Sequence, residues 1–119
     1  MKSVLFVSRH APYGSSLAKD ALDALLTSAA YDQPLAMLFM DDGVFQLLPG
    51  QDANLIGQKS FSRMLPALEL YGVERLFVHQ PSLEQRNLGL EDLMTLPLSL
   101  VNDDELRNLL QNHQHILSF

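Results

Sequence analysis

The chain has 119 residues, of which 47% are hydrophobic and 18% charged, with a formal net charge of −6 and no cysteine. This length predicts a single domain over residues 1–119 with a substantial core, and the acidic balance argues against direct binding to nucleic acid. The lack of cysteine excludes disulfides, thiolate nucleophiles, persulfide carriers and cysteine-based metal sites. The first apolar run is too short for a signal peptide or a membrane span, so we expect a cytoplasmic protein without a membrane partner.

The first third of the chain predicts a strand, a helix and a second strand. Residues 4–7 form a continuous apolar run, typical of a strand buried on both faces, and residues 35–40 form another. Between them lies a helical stripe that Ser15 or Ser16 can cap. The stripe consists of Ala18, Leu22, Leu25, Leu26 and Ala29. All-apolar strands joined through a helix indicate a parallel βαβ unit with a right-handed crossover.

A short apolar segment follows the second strand, between an Asp-Asp-Gly turn at residues 41–43 and a Pro-Gly break at residues 49–50. A buried large apolar side chain contributes roughly 1.5–3 kcal/mol, so this segment needs a cover, either the chain's own core or a partner. Open α/β sheets keep their sites at the carboxyl ends of strands. We therefore predict a candidate subunit interface here, although closure of the chain's own core remains an alternative. Its residues are Asp42, Gly43, Val44, Phe45, Gln46, Leu47 and Leu48.

The remainder of the chain continues the alternation. Residues 51–59 predict a loop or short helix, and apolar spacing predicts a helix over residues 61–71 that Pro66 either kinks or shortens. A strand at 75–79, a short helix opened by Pro81, an irregular stretch at 88–95 and a short strand within 96–101 follow. Asn102 is expected to cap a helix, and residues 115–119 to form the last strand. The pattern predicts a three-layer α/β/α sandwich with a mostly parallel sheet of about five strands, and leaves the strand order open.

Few residues in the sequence are suited to catalysis or ligand binding. Neither glycine-rich phosphate motif occurs, so a bound nucleotide is disfavoured, and no serine lies in a nucleophile-elbow motif. Asp41 and Asp42 could hold Mg²⁺, but an Asp-Gly sequence also commonly forms a turn without any metal. His79 ends the third predicted strand, and we expect it at the same edge of the sheet as Asp42. It is either a catalytic group or a histidine whose ring is hydrogen-bonded to neighbours or faces solvent. An independent small-anion- or metal-binding enzyme using Asp42, His79 and residues 10–16 is therefore an alternative, but no catalytic, cofactor-binding or metal-binding residue is assigned.

Several blocks of sequence resemble one family. They are Asp42-Gly43-Val44-Phe45-Gln46-Leu47-Leu48-Pro49-Gly50-Gln51, Ala11-Pro12-x-Gly14, Leu70-Tyr71-Gly72-Val73-Glu74, Ser82-Leu83-x-x-Arg86-x-Leu88 and Ile116-Leu117-x-Phe119. Together they resemble the TusC proteins of the sulfur relay system, the DsrF branch of the DsrE/DsrF/DsrH family. The similarity extends over essentially the whole chain.

The resemblance implies a small cytoplasmic subunit of a heterohexamer with two copies each of TusB, TusC and TusD. In that relay, persulfide sulfur passes from TusA through a cysteine of TusD to TusE, and then to the enzyme that makes 2-thiouridine at the tRNA wobble position. The active cysteine of the sulfur-carrying relatives lies just after the strand that ends here at His79, and this chain has no cysteine. The resemblance therefore implies a non-catalytic structural subunit that meets TusA-like and TusE-like carriers only indirectly. A homo-oligomer of the same fold is a further alternative.

Overall fold

A five-stranded sheet organises the computed structural model of the chain. The structure describes residues 4–11, 20, 23–25, 27, 35–48, 73, 75–93, 98–113 and 115–119. The strands are β1 (Val4–Ser8), β2 (Leu35–Phe39), β3 (Arg75–His79), β4 (Leu98–Val101) and β5 (His115–Ser118). The α-helices with both ends described are α1 (Gln80–Gln85) and α2 (Asp103–Gln111), and short 3-10 turns span Asp41–Leu47 and Leu90–Asp92. Residues 20, 23–25 and 27 are also helical.

The strands lie in the order β4-β3-β2-β1-β5, and every pairing is parallel. β1 and β2 are neighbours, with Val4 opposite Leu35, which confirms the parallel unit predicted from the two apolar runs. After β4, at one edge, the chain crosses the sheet and adds β5 beside β1 at the other edge. Because all the strands point the same way, their carboxyl ends share one edge of the sheet.

Apolar side chains cover the two faces of the sheet with separate clusters, since successive residues of a strand point to opposite sides. On one face, Val4 and Phe6 pack with Leu25 of the helical residues and Leu83 of α1. On the other face, Leu5 and Val7 pack in the cluster that contains Leu109 of α2. Helical elements therefore lie on both sides of the sheet, and the predicted three-layer α/β/α sandwich is confirmed.

Local sequence signals explain where α1 and α2 begin. Pro81 lies in the first turn of α1, where its missing N–H costs nothing. Asn102 caps α2 as predicted: its side chain accepts a hydrogen bond from the backbone N–H of Glu105, at 2.8 Å. The Glu105 carboxylate in turn accepts the backbone N–H of Asn102, at 3.0 Å, which completes a capping box.

Several predictions lie outside the described residues. They are the cap at Ser15 or Ser16, four of the five residues of the first helical stripe, the segment 51–59, the helix over 61–71 and the strand entry at 96–97. Within the described part of the chain, the stretch predicted to be irregular contains the 3-10 turn Leu90–Asp92. No helix in that part is long and apolar enough to cross a membrane.

Candidate functional site at the carboxyl edge of the sheet

The segment singled out by the sequence forms a 3-10 turn, Asp41–Leu47, directly after β2, and we call it the rim turn. It begins at Asp41, whose φ of 51° lies in the left-handed region. The backbone N–H of Gly43 then donates to the carbonyl of Met40 at 2.9 Å. A Cβ atom at residue 43 would overlap the carbonyl group of Ser8, with its carbon only 2.7 Å away. The rim turn therefore lies directly against the end of β1, and only glycine fits at residue 43 without a backbone shift.

The apolar residues of this segment have two different environments. Val44 and Leu47 are fully buried and belong to the core cluster that also contains Phe6. Phe45 and Leu48 are only partly buried, and Asp42 is exposed. The chain's own core thus covers Val44 and Leu47, which was the alternative expectation for these residues. Of the predicted interface residues, only Asp42, Phe45 and Leu48 present side chains that a partner could reach.

Gln46 links the rim turn to the chain after β1. Its side chain is fully buried, and its Nε2 donates to the hydroxyl of Ser8 at 2.6 Å and to the carbonyl of His10 at 2.9 Å. Its Oε1 is buried without a hydrogen-bond partner. The sequence places Gln46 inside an apolar run. The structure shows that its side chain forms hydrogen bonds within the chain and is not available to a partner.

Helix α1 holds the rim turn from the other side. The hydroxyl of Ser82 accepts the backbone N–H of Asp41 at 2.9 Å. The guanidinium of Arg86 donates to one carboxylate oxygen of Asp42 through Nε at 3.1 Å and through Nη2 at 2.9 Å. The same guanidinium lies 5.9 Å from the centre of the Phe45 ring, a cation–π arrangement. These contacts give Phe45 a defined position at the molecular surface.

The two aspartates predicted as possible magnesium ligands face arginines. Asp42 pairs with Arg86, and Asp41 pairs with Arg9 at 2.9 Å. Both pairs are solvent-exposed, so each is worth no more than about 1 kcal/mol. Among the residues that the structure describes, no group of three or more histidine, cysteine, aspartate or glutamate side chains could hold a metal ion.

His79 ends β3 at the same edge, where the sequence predicts it, and both of its ring nitrogens are engaged. Nε2 lies 2.8 Å from the Asp103 carboxylate and Nδ1 lies 2.7 Å from the Ser82 hydroxyl. Because a carboxylate only accepts, Nε2 carries the hydrogen in the neutral ring, and Nδ1 accepts from Ser82. The hydrogen bonds then run in one direction, from the Asp41 amide to Ser82, His79 and Asp103. The structure places His79 beside these partners and shows it as a satisfied histidine.

A Ser-His-Asp series invites comparison with hydrolases, but its setting is structural. The Ser82 side chain is buried, with the residue only 2% exposed, and its oxygen already accepts the Asp41 amide. A nucleophile must reach its substrate, whereas this oxygen is enclosed between α1 and the rim turn. The series ties β3, α1, α2 and the rim turn together. The sequence carries no signal for it, since Asp103 is 24 residues from His79.

Comparison with known proteins identifies the family. The family model described as "DsrE/DsrF-like family" matches residues 2–119. The chain belongs to the DsrE/DsrF-like family. This confirms the resemblance seen in the sequence blocks.

Its relatives match along nearly their whole length. A "Protein TusC homolog" of Pseudomonas aeruginosa is 39% identical over 117 residues, covering 98% of both chains. The "Intracellular sulfur oxidation protein DsrF" of Allochromatium vinosum is 39% identical over 112 residues, covering 93% of this chain and 82% of that protein. "Protein TusC" of Escherichia coli is 36% identical over 119 residues, covering 100% of both. Among solved structures, the ychN protein of E. coli matches with a TM-score of 0.85, 21% identity and 100% coverage of both chains, a likeness of fold.

Proposed function

We propose that this DsrE/DsrF-like chain is a non-catalytic subunit of a TusBCD-type sulfur-relay complex, which supports 2-thiouridine formation at the tRNA wobble position. The observation that carries the proposal is similarity to TusC and DsrF proteins over 93–98% of a chain without cysteine. No side chain here can form a persulfide, because that chemistry needs a thiolate. The sulfur is therefore carried by partner subunits, and this chain contributes to their assembly and to the shape of their site.

The proposed partners are TusB-like and TusD-like subunits, in a heterohexamer with two copies of each chain. TusA-like and TusE-like carriers meet this chain only through that complex. The net charge of −6 opposes direct contact with the tRNA backbone, so the tRNA-modifying enzyme is reached through the carriers. The absence of a thiol in the sequence is consistent with a subunit that carries no sulfur itself.

The exposed part of the rim turn is the proposed contact surface, and we define it as Asp42, Phe45 and Leu48 together with Arg86. Aromatic and arginine side chains supply much of the binding energy in protein interfaces. Phe45 is only partly buried, and the Arg86 guanidinium lies over its ring. Arg86 donates to the Ser82 carbonyl at 3.0 Å as well as to Asp42, so these contacts together favour one position of the guanidinium in the free chain. Such preorganisation lowers the entropic cost of association.

Native mass spectrometry after co-expression tests the proposal. The chain is produced alone and together with its TusB-like and TusD-like partners, and a 2:2:2 assembly is expected only when both are present. A chain that forms a stable homo-oligomer or monomer and ignores both partners would contradict the proposal. Restoration of 2-thiouridine in tRNA from a strain lacking the native subunit provides the functional readout.

A matched pair of variants tests the contact surface separately. Phe45→Asp is expected to abolish the assembly while circular dichroism still shows a folded chain, because a carboxylate at the partly buried ring position cannot be desolvated without cost. Leu90→Asp, at an exposed leucine distant in sequence from the rim turn, is the control and should assemble normally. An intact complex with Phe45→Asp would assign the interface elsewhere and leave the subunit role standing.

A further inference from the structure

The rim turn begins in a backbone conformation that needs support. Asp41 has a φ of 51°, in the left-handed region that residues with a side chain seldom adopt. Its carboxylate pairs with Arg9, but that pair is solvent-exposed and contributes little. Its backbone N–H, by contrast, donates at 2.9 Å to the hydroxyl of Ser82, which is buried. The contact with Ser82 is therefore the stronger restraint on the conformation of Asp41.

Ser82 supports the rim turn through two different groups. Its hydroxyl accepts the N–H of Asp41 and donates to Nδ1 of the neutral His79 ring at 2.7 Å, so its hydrogen has a fixed direction. Its backbone carbonyl accepts from Nη1 of Arg86 at 3.0 Å. The guanidinium of Arg86 in turn lies over the ring of Phe45. One buried residue thus holds the start of the rim turn and helps to place the cation that covers its aromatic side chain.

Ser82 is too deeply buried to touch a partner itself. It is 2% exposed, whereas the side chains of the proposed contact surface are exposed or partly buried. Its influence on a partner must therefore pass through the position of the rim turn. We propose that Ser82 is the positioning residue of this contact surface, and that its hydroxyl holds the rim turn in the conformation that a partner binds. The identity of that partner rests on the proposed function.

Ser82→Ala isolates the contribution of the hydroxyl, because the variant keeps the backbone carbonyl that binds Arg86. The N–H of Asp41 loses its acceptor, and Nδ1 of His79 loses its donor. A buried polar group without a partner is costly, and the start of the rim turn can reduce that cost by opening toward water. The variant should therefore loosen the rim turn within a chain that remains folded.

Amide hydrogen exchange in the chain alone measures this loosening. Its reporters are the N–H groups of Gly43 and Leu48. They donate to the backbone carbonyls of Met40 and Phe45 rather than to Ser82, so loss of the hydroxyl reaches them only through the turn itself. Exchange at both should be on the order of tenfold faster in Ser82→Ala, because the lost hydrogen bond lowers the free energy of opening the turn.

Val4→Ala is the matched control. It removes buried side-chain atoms at the amino end of β1, on the opposite edge of the sheet from the rim turn. The N–H of Phe6, in a strand paired on both sides, reports the stability of the whole fold and should exchange faster in both variants. Gly43 and Leu48 should respond only to Ser82→Ala. Wild-type exchange at these two amides in Ser82→Ala, or equal acceleration in both variants, would overturn the proposal.

The complete complex shows the consequence for binding. With TusB-like and TusD-like partners present, Ser82→Ala should dissociate on the order of tenfold faster than the wild-type chain, whereas Val4→Ala should dissociate at the wild-type rate. A wild-type dissociation rate for Ser82→Ala, alongside faster exchange in its rim turn, would overturn the link to partner binding. A wild-type chain that ignores both partners would contradict the proposed function instead. The exchange rates of the chain alone would then still decide whether Ser82 positions the rim turn.

Discussion

Gly43→Ala should destabilise the chain through a backbone collision. The added Cβ would overlap the carbonyl of Ser8, and neither the rim turn nor the end of β1 can move freely. Gln46 holds both with two hydrogen bonds, and Met40 donates to the same Ser8 carbonyl at 3.1 Å. Overpacking of this kind typically costs about 1–3 kcal/mol. Total stability for a small domain is about 5–15 kcal/mol, so the loss should be easily measured.

Urea unfolding followed by circular dichroism measures the effect, and thermal unfolding should show a Tm lower by about 4–12 °C, at roughly 4 °C per kcal/mol for a chain of this size. Gly89→Ala is the matched control, because its Cβ would meet only the end of the flexible Glu91 side chain, which can turn away. Its free energy of unfolding should change by less than about 1 kcal/mol. If the two variants lose the same free energy of unfolding, the inferred close contact between the rim turn and β1 is wrong.

Three further substitutions test other parts of the structure. Asn102→Ala removes the cap of α2 and should cost about 0.5–2 kcal/mol in urea unfolding, whereas Asn112→Ala at the opposite end should cost less. Gln46→Glu places a buried carboxylate against the His10 carbonyl, which can only accept, and leaves the Ser8 hydroxyl as its one donor among these two partners, so its unfolding midpoint should fall below that of Gln46→Met; the reverse order would contradict the assigned hydrogen bonds. Leu47→Ala should cost about 2–5 kcal/mol by opening a cavity, and Leu90→Ala less than about 0.5 kcal/mol; similar losses would contradict their different burial.

The position of the rim turn was predictable from the sequence, but the direction of its side chains was not. The two chain breaks and the apolar residues between them predict a short turn after β2 that needs a cover, either a partner or the chain's own core, and the turn is there. Side-chain direction within it could not be predicted, because seven residues are too few for the sequence to show a clear helical periodicity. Val44 and Leu47 point into the core while Phe45 remains partly exposed, and this division depends on where β1 and α1 lie around the turn.

The role of His79 depends even more on the tertiary structure. Its place at the end of a strand was predictable from the apolar run before it. Its partner Asp103 begins α2, which follows β4 in the chain. The two residues meet because β3 and β4 are neighbours in the sheet. A histidine has the same sequence signal whether it is satisfied by neighbours or open to a ligand.

The sequence by itself determined the five strands, the cap of α2, the family and the exclusion of persulfide chemistry. Apolar runs predict the strands, and groups within one turn of a helix predict the cap. Blocks of similar sequence indicate the family, and the absence of cysteine excludes a persulfide. The tertiary structure alone decided the order β4-β3-β2-β1-β5, the burial of Val44 and Leu47, and the exposure of β5. These properties depend on contacts between residues far apart in the chain, and no local pattern encodes which distant surface will be covered.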